Sequence, residues 1–202
     1  MKELCRNPVY ILLVFAISSL YFVVSGLQFW ITTYMTTVVG VPLQEVYTYF
    51  IITCLSAPSS GIILSIVIFN YIGGYNSKHA FNFCLSFGLL AVFVSLPVPY
   101  LNNWVLIMAL LWMIFFLGAL ILAPLVGMML NQVPQEGRAT ANSLATLCYN
   151  LFGYFPAPFV FGKVADLDKT NPILSMRFAM GTIVYWSILA ASFLIVAIII
   201  KN

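Results

Sequence analysis

Few side chains in this 202-residue chain could carry covalent or acid–base chemistry: one histidine, five acids and four cysteines. His79 sits in the polar run Tyr75, Asn76, Ser77, Lys78 and reads as a solvated loop residue rather than a ligand or proton carrier. Cys5, Cys54, Cys84 and Cys148 have no ligand-like spacing, and three of them lie inside apolar runs, so they read as small core residues. Cys5, close to Lys2 and Arg6, fits either palmitoylation or an ordinary loop thiol. A membrane-embedded enzyme needs a nucleophile with a base, or paired acids, within hydrogen-bond reach. Here the histidine is in a loop and the acids stand at the ends of apolar runs, so no enzyme, no metal and no cofactor is expected. The absence of a nucleotide-binding glycine loop leaves a solute or ion gradient as the energy source for any transport.

What remains is recognition by hydrogen bonds from polar groups inside apolar runs. After the loop Pro134-Gln135-Glu136-Gly137, Arg138 opens an apolar segment that carries Thr140, Asn142, Ser143, Thr146 and Asn150. Lipid does not accept that many polar groups unless they face protein or a water-filled cavity. A second stripe, Ser18, Tyr21, Ser25, Gln28, Thr32 and Thr36, recurs at three- and four-residue steps, and a third comprises Tyr49, Thr53, Ser56 and Ser60. From these, Gln28, Thr32, Thr53, Ser56, Ser143, Thr146 and Asn150 form the expected solute cavity. The plainer reading of each Ser and Thr is a bond to its own helix backbone, which an amide such as Gln28 does not make so easily. Asn150 has two readings: a contact to solute, or an interhelical bond to Gln28 or to backbone freed by Pro156.

These residues need a membrane scaffold to hold them. With 63% hydrophobic and 6% charged residues, and a mean hydropathy of +1.06, the chain reads as an all-α, polytopic membrane protein. Its net charge of +3 is too small and dispersed for nucleic acid. A single bundle of six spans is expected at about 8–39, 44–72, 80–97, 104–130, 139–162 and 172–200. The first run is too long for a signal-peptide core. Gly153, Pro156 and Pro158 predict a bend in the fifth span. Gly162 and Asp166 stack at a four-residue spacing, and a carboxylate at a helix C-terminus needs a cationic or N–H partner or a place just beyond the helix. In the fourth span Gly118, Ala123, Pro124 and Gly127 predict close helix contact and flexing. The first, second, fourth and fifth spans are expected to line the cavity, and the third and sixth to face lipid. Lys2, Arg6, Lys78, Arg138 and Lys201 fall on one side against Lys163, Lys169 and Arg177 on the other, which places both termini in the cytoplasm. Plasma and endolysosomal membranes are equally compatible.

With six spans on the page, the chain resembles the C-terminal half of a major facilitator superfamily transporter, a three-plus-three inverted repeat. The run Arg138-Ala139-Thr140-Ala141-Asn142-Ser143, followed by Asn150, Gly153, Pro156, Pro158, Gly162 and Asp166, resembles the spinster-like lipid transporters. In the loop after the second span, Asn70 and Gly73 stand at the later positions of the family's glycine–acid–glycine pattern, but Ile66 replaces the first glycine and Asn70 the acid, while the turn Gly73-Gly74-Tyr75 is kept. The resemblance implies alternating-access transport of a small organic or amphipathic, lysolipid-like solute. It also implies that Asn70, Gly73, Gly74, Arg138, Gly153, Pro156, Pro158, Gly162 and Asp166 are gating or structural. The partners implied are membrane lipid and another six-span half, either an N-terminal part of a longer chain or a separate subunit; the former is the expectation. Any proton-carrying carboxylate would belong to that other half. A non-transporting membrane scaffold is the alternative function.

Overall fold

In the computed structural model, which describes residues 7–75 and 78–201 except the Lys78 side chain, six helical spans are long and apolar enough to cross a membrane. They are α1 (Pro8–Tyr34, continued as a π-helical turn Met35–Val39), α2 (Leu43–Ile72), α3 (Lys78–Ser95), α4 (Trp104–Asn131), a fifth span formed by α5 (Arg138–Tyr149) and α6 (Pro156–Ala165), and α7 (Pro172–Lys201). Cys5, Lys2 and Arg6 lie outside the described residues. His79 is exposed in the first turn of α3 rather than in the preceding loop, because the helix begins at Lys78, two residues before the span read from hydropathy.

The first and fourth spans start alike. Asn7 Oδ1 accepts from the backbone N–H groups of Val9 (3.1 Å) and Tyr10 (3.2 Å). Asn103 Oδ1 accepts from those of Val105 (3.0 Å) and Leu106 (3.3 Å). Each asparagine thus satisfies two of the amides that a helix start leaves without partners. α1 is the central helix: 67% of its most apolar window is buried, against 22% for α2. It packs mainly along α7, where Gly26 makes room for Ile183, and its Phe22 stacks on Trp186 at 4.2 Å. α2 packs chiefly on α4.

Six crossings bring the first and last helices to the same end of the bundle. There Tyr10 Oη donates to the Ala141 carbonyl at 2.7 Å, and the Lys201 ammonium sits 4.1 Å from the Phe81 ring centre near the start of α3. Gly73 and Gly74 turn the chain out of α2 at φ of +87° and +82°, a conformation open to glycine at little cost. Tyr75 then folds onto Gly127 of α4, where a Cβ would lie 2.9 Å from its ring. The chain is an integral, multi-pass membrane protein.

Candidate functional site

Inside the bundle lies a cavity of about 210 Å³, walled by α1, α2, α3, α4 and α7. α1 presents Tyr21, Val24 and Gln28 to it at helical spacing, α2 presents Cys54 and Pro58, and α4 presents Phe115, Gly118 and Leu122. Gly118 does not make the close helix contact expected of it: nothing lies within 4 Å of the place its Cβ would occupy, so the absent side chain enlarges the void. The close approach of α2 to α4 is made at Gly61, whose Cβ would stand 2.4 Å from the Phe116 carbonyl oxygen.

The rear wall corrects the expectation that the third and sixth spans face lipid alone. Ala91 and Ser95 of α3 and Ser187 of α7 line the cavity, with the two serine hydroxyls 3.4 Å apart and buried. Short side chains there leave room for the cavity to extend behind α1. These residues were missed because isolated small residues in apolar runs give no periodic signal.

Of the seven expected cavity residues, Gln28 lines this cavity, and its amide makes no hydrogen bond to the described residues. Thr53 is buried in α2 away from the cavity wall. The Thr32 carbonyl accepts from Thr36 Oγ1 at 3.0 Å. Ser56 Oγ donates to Ile52 O (2.7 Å) and accepts from Trp112 Nε1 (2.9 Å), so it links α2 to α4. Ser143, Thr146 and Asn150 form an exposed polar face on the fifth span and do not meet Gln28 in the cavity. Each bonds its own helix: Ser143 to Ala139 O (3.1 Å), Thr146 to Asn142 O (2.8 Å), and Asn150 Nδ2 to Thr146 O (2.7 Å). Asn150 therefore bonds neither Gln28 nor a carbonyl freed by Pro156.

The α-helix of the fifth span is interrupted at the glycine and prolines from which a bend is expected. α5 ends at Tyr149, a π-helical turn runs Asn150–Tyr154, and Pro156 starts α6 at a position that needs no N–H. Pro158 cannot donate to the Tyr154 carbonyl, and Ser25 Oγ of α1 supplies that bond at 2.7 Å. Gly153 lets the turn press against α1, since a Cβ there would be 2.3 Å from the Ser18 carbonyl oxygen. Tyr21 stacks on Tyr149 at 4.9 Å, and Trp30 stacks on Phe161 at 4.7 Å while donating to Pro158 O at 2.9 Å. Gly162 keeps that indole close, its Cβ position being 3.4 Å from Trp30.

Of the other residues expected to gate or support, Arg138 donates from Nε to Val133 O at 3.3 Å across the α4–α5 connection. Asn70 is exposed on the last turns of α2. Asp166 is the C-cap residue of α6, still in helical conformation with its backbone N–H donating to the Gly162 carbonyl at 3.1 Å, and its side chain is exposed. In the following loop, a side-chain and a backbone hydrogen bond from Thr170 hold the Asp168 carboxyl below the usual carboxylate range. Among the described residues no three His, Cys, Asp or Glu side chains gather to hold a metal ion.

The fold of this chain matches half of a larger solved fold. It is shared by two solved structures of a bacterial homolog to the human lysosomal transporter Spinster, both inward-facing. The occupied form aligns with a TM-score of 0.79 and 16% identity over 96% of this chain and 50% of that chain. The unoccupied form aligns with a TM-score of 0.78 and 16% identity over 98% and 49%. The chain thus spans about half the length of these relatives. The model of the Organic Anion Transporter Polypeptide (OATP) family matches residues 99–168. No curated protein matches the chain.

Proposed function

We propose that this chain forms half of a secondary transporter, not an enzyme, and that it moves a small organic or amphipathic solute by alternating access against a second six-helix half. The observation that carries the reading is the pairing of two surfaces. One is the partly open, largely apolar cavity with the exposed, unbonded Gln28 amide on its wall. The other is the exposed polar face Ser143, Thr146 and Asn150, set on a span broken by a π-helical turn. At about 210 Å³ the cavity is smaller than the roughly 300–1,000 Å³ of pockets that enclose a whole small ligand. It accepts an apolar part, such as a tail or ring, while the polar part engages the open face and the other half. A lysolipid-like solute has that division. Thr32, Thr53 and Ser56 support the wall rather than touch solute, and Arg138 with the glycines and prolines of the fifth span supports gating. Both termini face the cytoplasm in this reading, and a proton-carrying carboxylate, where one is used, lies in the second half.

The test is uptake of a radiolabelled amphipathic anion and of a lysolipid into proteoliposomes holding this chain with a second six-helix half. Gln28→Leu and Asn150→Ala are each expected to weaken apparent affinity about fivefold, corresponding to roughly 1 kcal/mol, with thermal stability in detergent nearly unchanged. Unchanged affinity in both variants defeats the site assignment. Failure of every paired arrangement to transport either solute favours a membrane scaffold.

A further inference from the structure

At the end of the bundle away from the termini, a second recess of about 240 Å³ opens on the outer face of α7, separate from the solute cavity. Its walls are Pro99, Tyr100, Leu174, Phe178 and Tyr185, and its floor includes Gly181 and Thr182. Arg177 stands at its rim. The guanidinium is held rigidly: Nη1 donates to the carbonyls of Pro99 (2.8 Å) and Leu101 (3.4 Å), and Nη2 donates to Asn102 Oδ1. All three acceptors are neutral. No carboxylate of the described residues is among the bonding partners of Arg177. A guanidinium carries five N–H donors, so these bonds leave Nε–H and one Nη2–H unused.

We propose that this recess is an interfacial binding site for the phosphate of an anionic phospholipid, with Arg177 as the phosphate ligand. Three features converge. The cation is only partly buried and has no carboxylate among the described residues, while planar guanidinium donors suit a phosphate in two-pronged geometry. The recess, at about 240 Å³, has room for a headgroup phosphate and glycerol. The acyl chains have a track, since Phe178 is 62% exposed and Leu174 44% on the same helix face. Because Arg177 also fastens the α3–α4 connection to α7, bound lipid would brace that connection from the membrane side.

The full chain, purified in detergent and stripped of lipid, is titrated with dioleoyl phosphatidylglycerol, dioleoyl phosphatidylcholine and inorganic phosphate, with thermal unfolding and native mass spectrometry as readouts. Phosphatidylglycerol is expected to bind at least fivefold more tightly than phosphatidylcholine, and Arg177→Gln to remove most of that preference, a ratio that corresponds to about 1 kcal/mol. Arg177→Gln also loosens the loop, so Thr182→Trp, which fills the recess and leaves the arginine bonds in place, is the second variant. It is expected to abolish lipid adducts with the melting temperature of the lipid-free protein retained. Equal affinity for the two lipids, retention of the preference in Thr182→Trp, or full protection by inorganic phosphate alone would each overturn the proposal.

Discussion

α2 and the fifth span both carry proline far from their ends, yet α2 runs unbroken from Leu43 to Ile72 through Pro58 while the fifth span divides at Tyr149 and resumes at Pro156. One proline removes one hydrogen bond and crowds one preceding carbonyl, a local cost that a long helix absorbs. In α2 the carbonyl left without a donor is that of Cys54, and both Cys54 and Pro58 face the cavity. The fifth span has prolines two residues apart, which leave the carbonyls of Phe152 and Tyr154 without their regular donors. A neighbour then makes the break stable: Ser25 donates to Tyr154 O, and Gly153 allows α1 to within backbone contact. The lesson is that a broken span requires both a local defect and a facing helix shaped to satisfy it.

The comparison breaks most visibly at glycine. Gly153→Ala places a methyl group 2.3 Å from a backbone oxygen that cannot rotate away, and is expected to lower unfolding free energy by about 3 kcal/mol. Gly61→Ala, facing the Phe116 carbonyl at 2.4 Å on unbroken α2, is expected to cost a similar amount. Equilibrium unfolding in detergent reads both. A mild effect at Gly153 alone would show that the π-helical turn yields and that α1 does not fix it.

A smaller effect sharpens the role of the donor. Ser25→Ala strands the Tyr154 carbonyl and should cost about 1 kcal/mol. In a Pro158→Ala background the backbone amide of residue 158 can serve that carbonyl, and the same serine change should then cost almost nothing. Equal costs in the two backgrounds of this double-mutant cycle would reject the link between Ser25 and Pro158. Smallest of all, Ser56→Ala removes the hydroxyl that receives Trp112 and should cost about 0.6 kcal/mol, the usual size of an interhelical bond in a membrane. Indole fluorescence of Trp112 provides a second readout. A cost above that of Ser25→Ala would mean that the unbroken helix, not the broken one, depends more on its neighbour's hydrogen bond.

Much of the architecture was legible from composition and period. Apolar runs long enough to cross a bilayer have few alternatives to helices, because hydrocarbon leaves backbone polar groups no other partners. Gly73 and Gly74 marked the turn after α2, and Gly153 with Pro156 and Pro158 marked the place where the α-helix of the fifth span is interrupted, since glycine and proline act on backbone geometry that does not depend on distant residues. The run from Arg138 to Asp166 likewise pointed to the transporter fold that the solved structures share.

The sequence by itself therefore determined which segments are helices, where they turn and which carry polar groups. Only the tertiary structure decided what those polar groups meet. Ser18, Ser56, Thr146 and Asn150 have donors that reach their own helix backbone as readily as a cavity, and local sequence does not choose between the two. Gln28 was separated from Ser143, Thr146 and Asn150 because helix rotation is set by packing against neighbours rather than by spacing along one chain. The third and sixth spans reached the cavity through Ala91, Ser95 and Ser187, residues whose small size becomes informative only once the helices around them are in place.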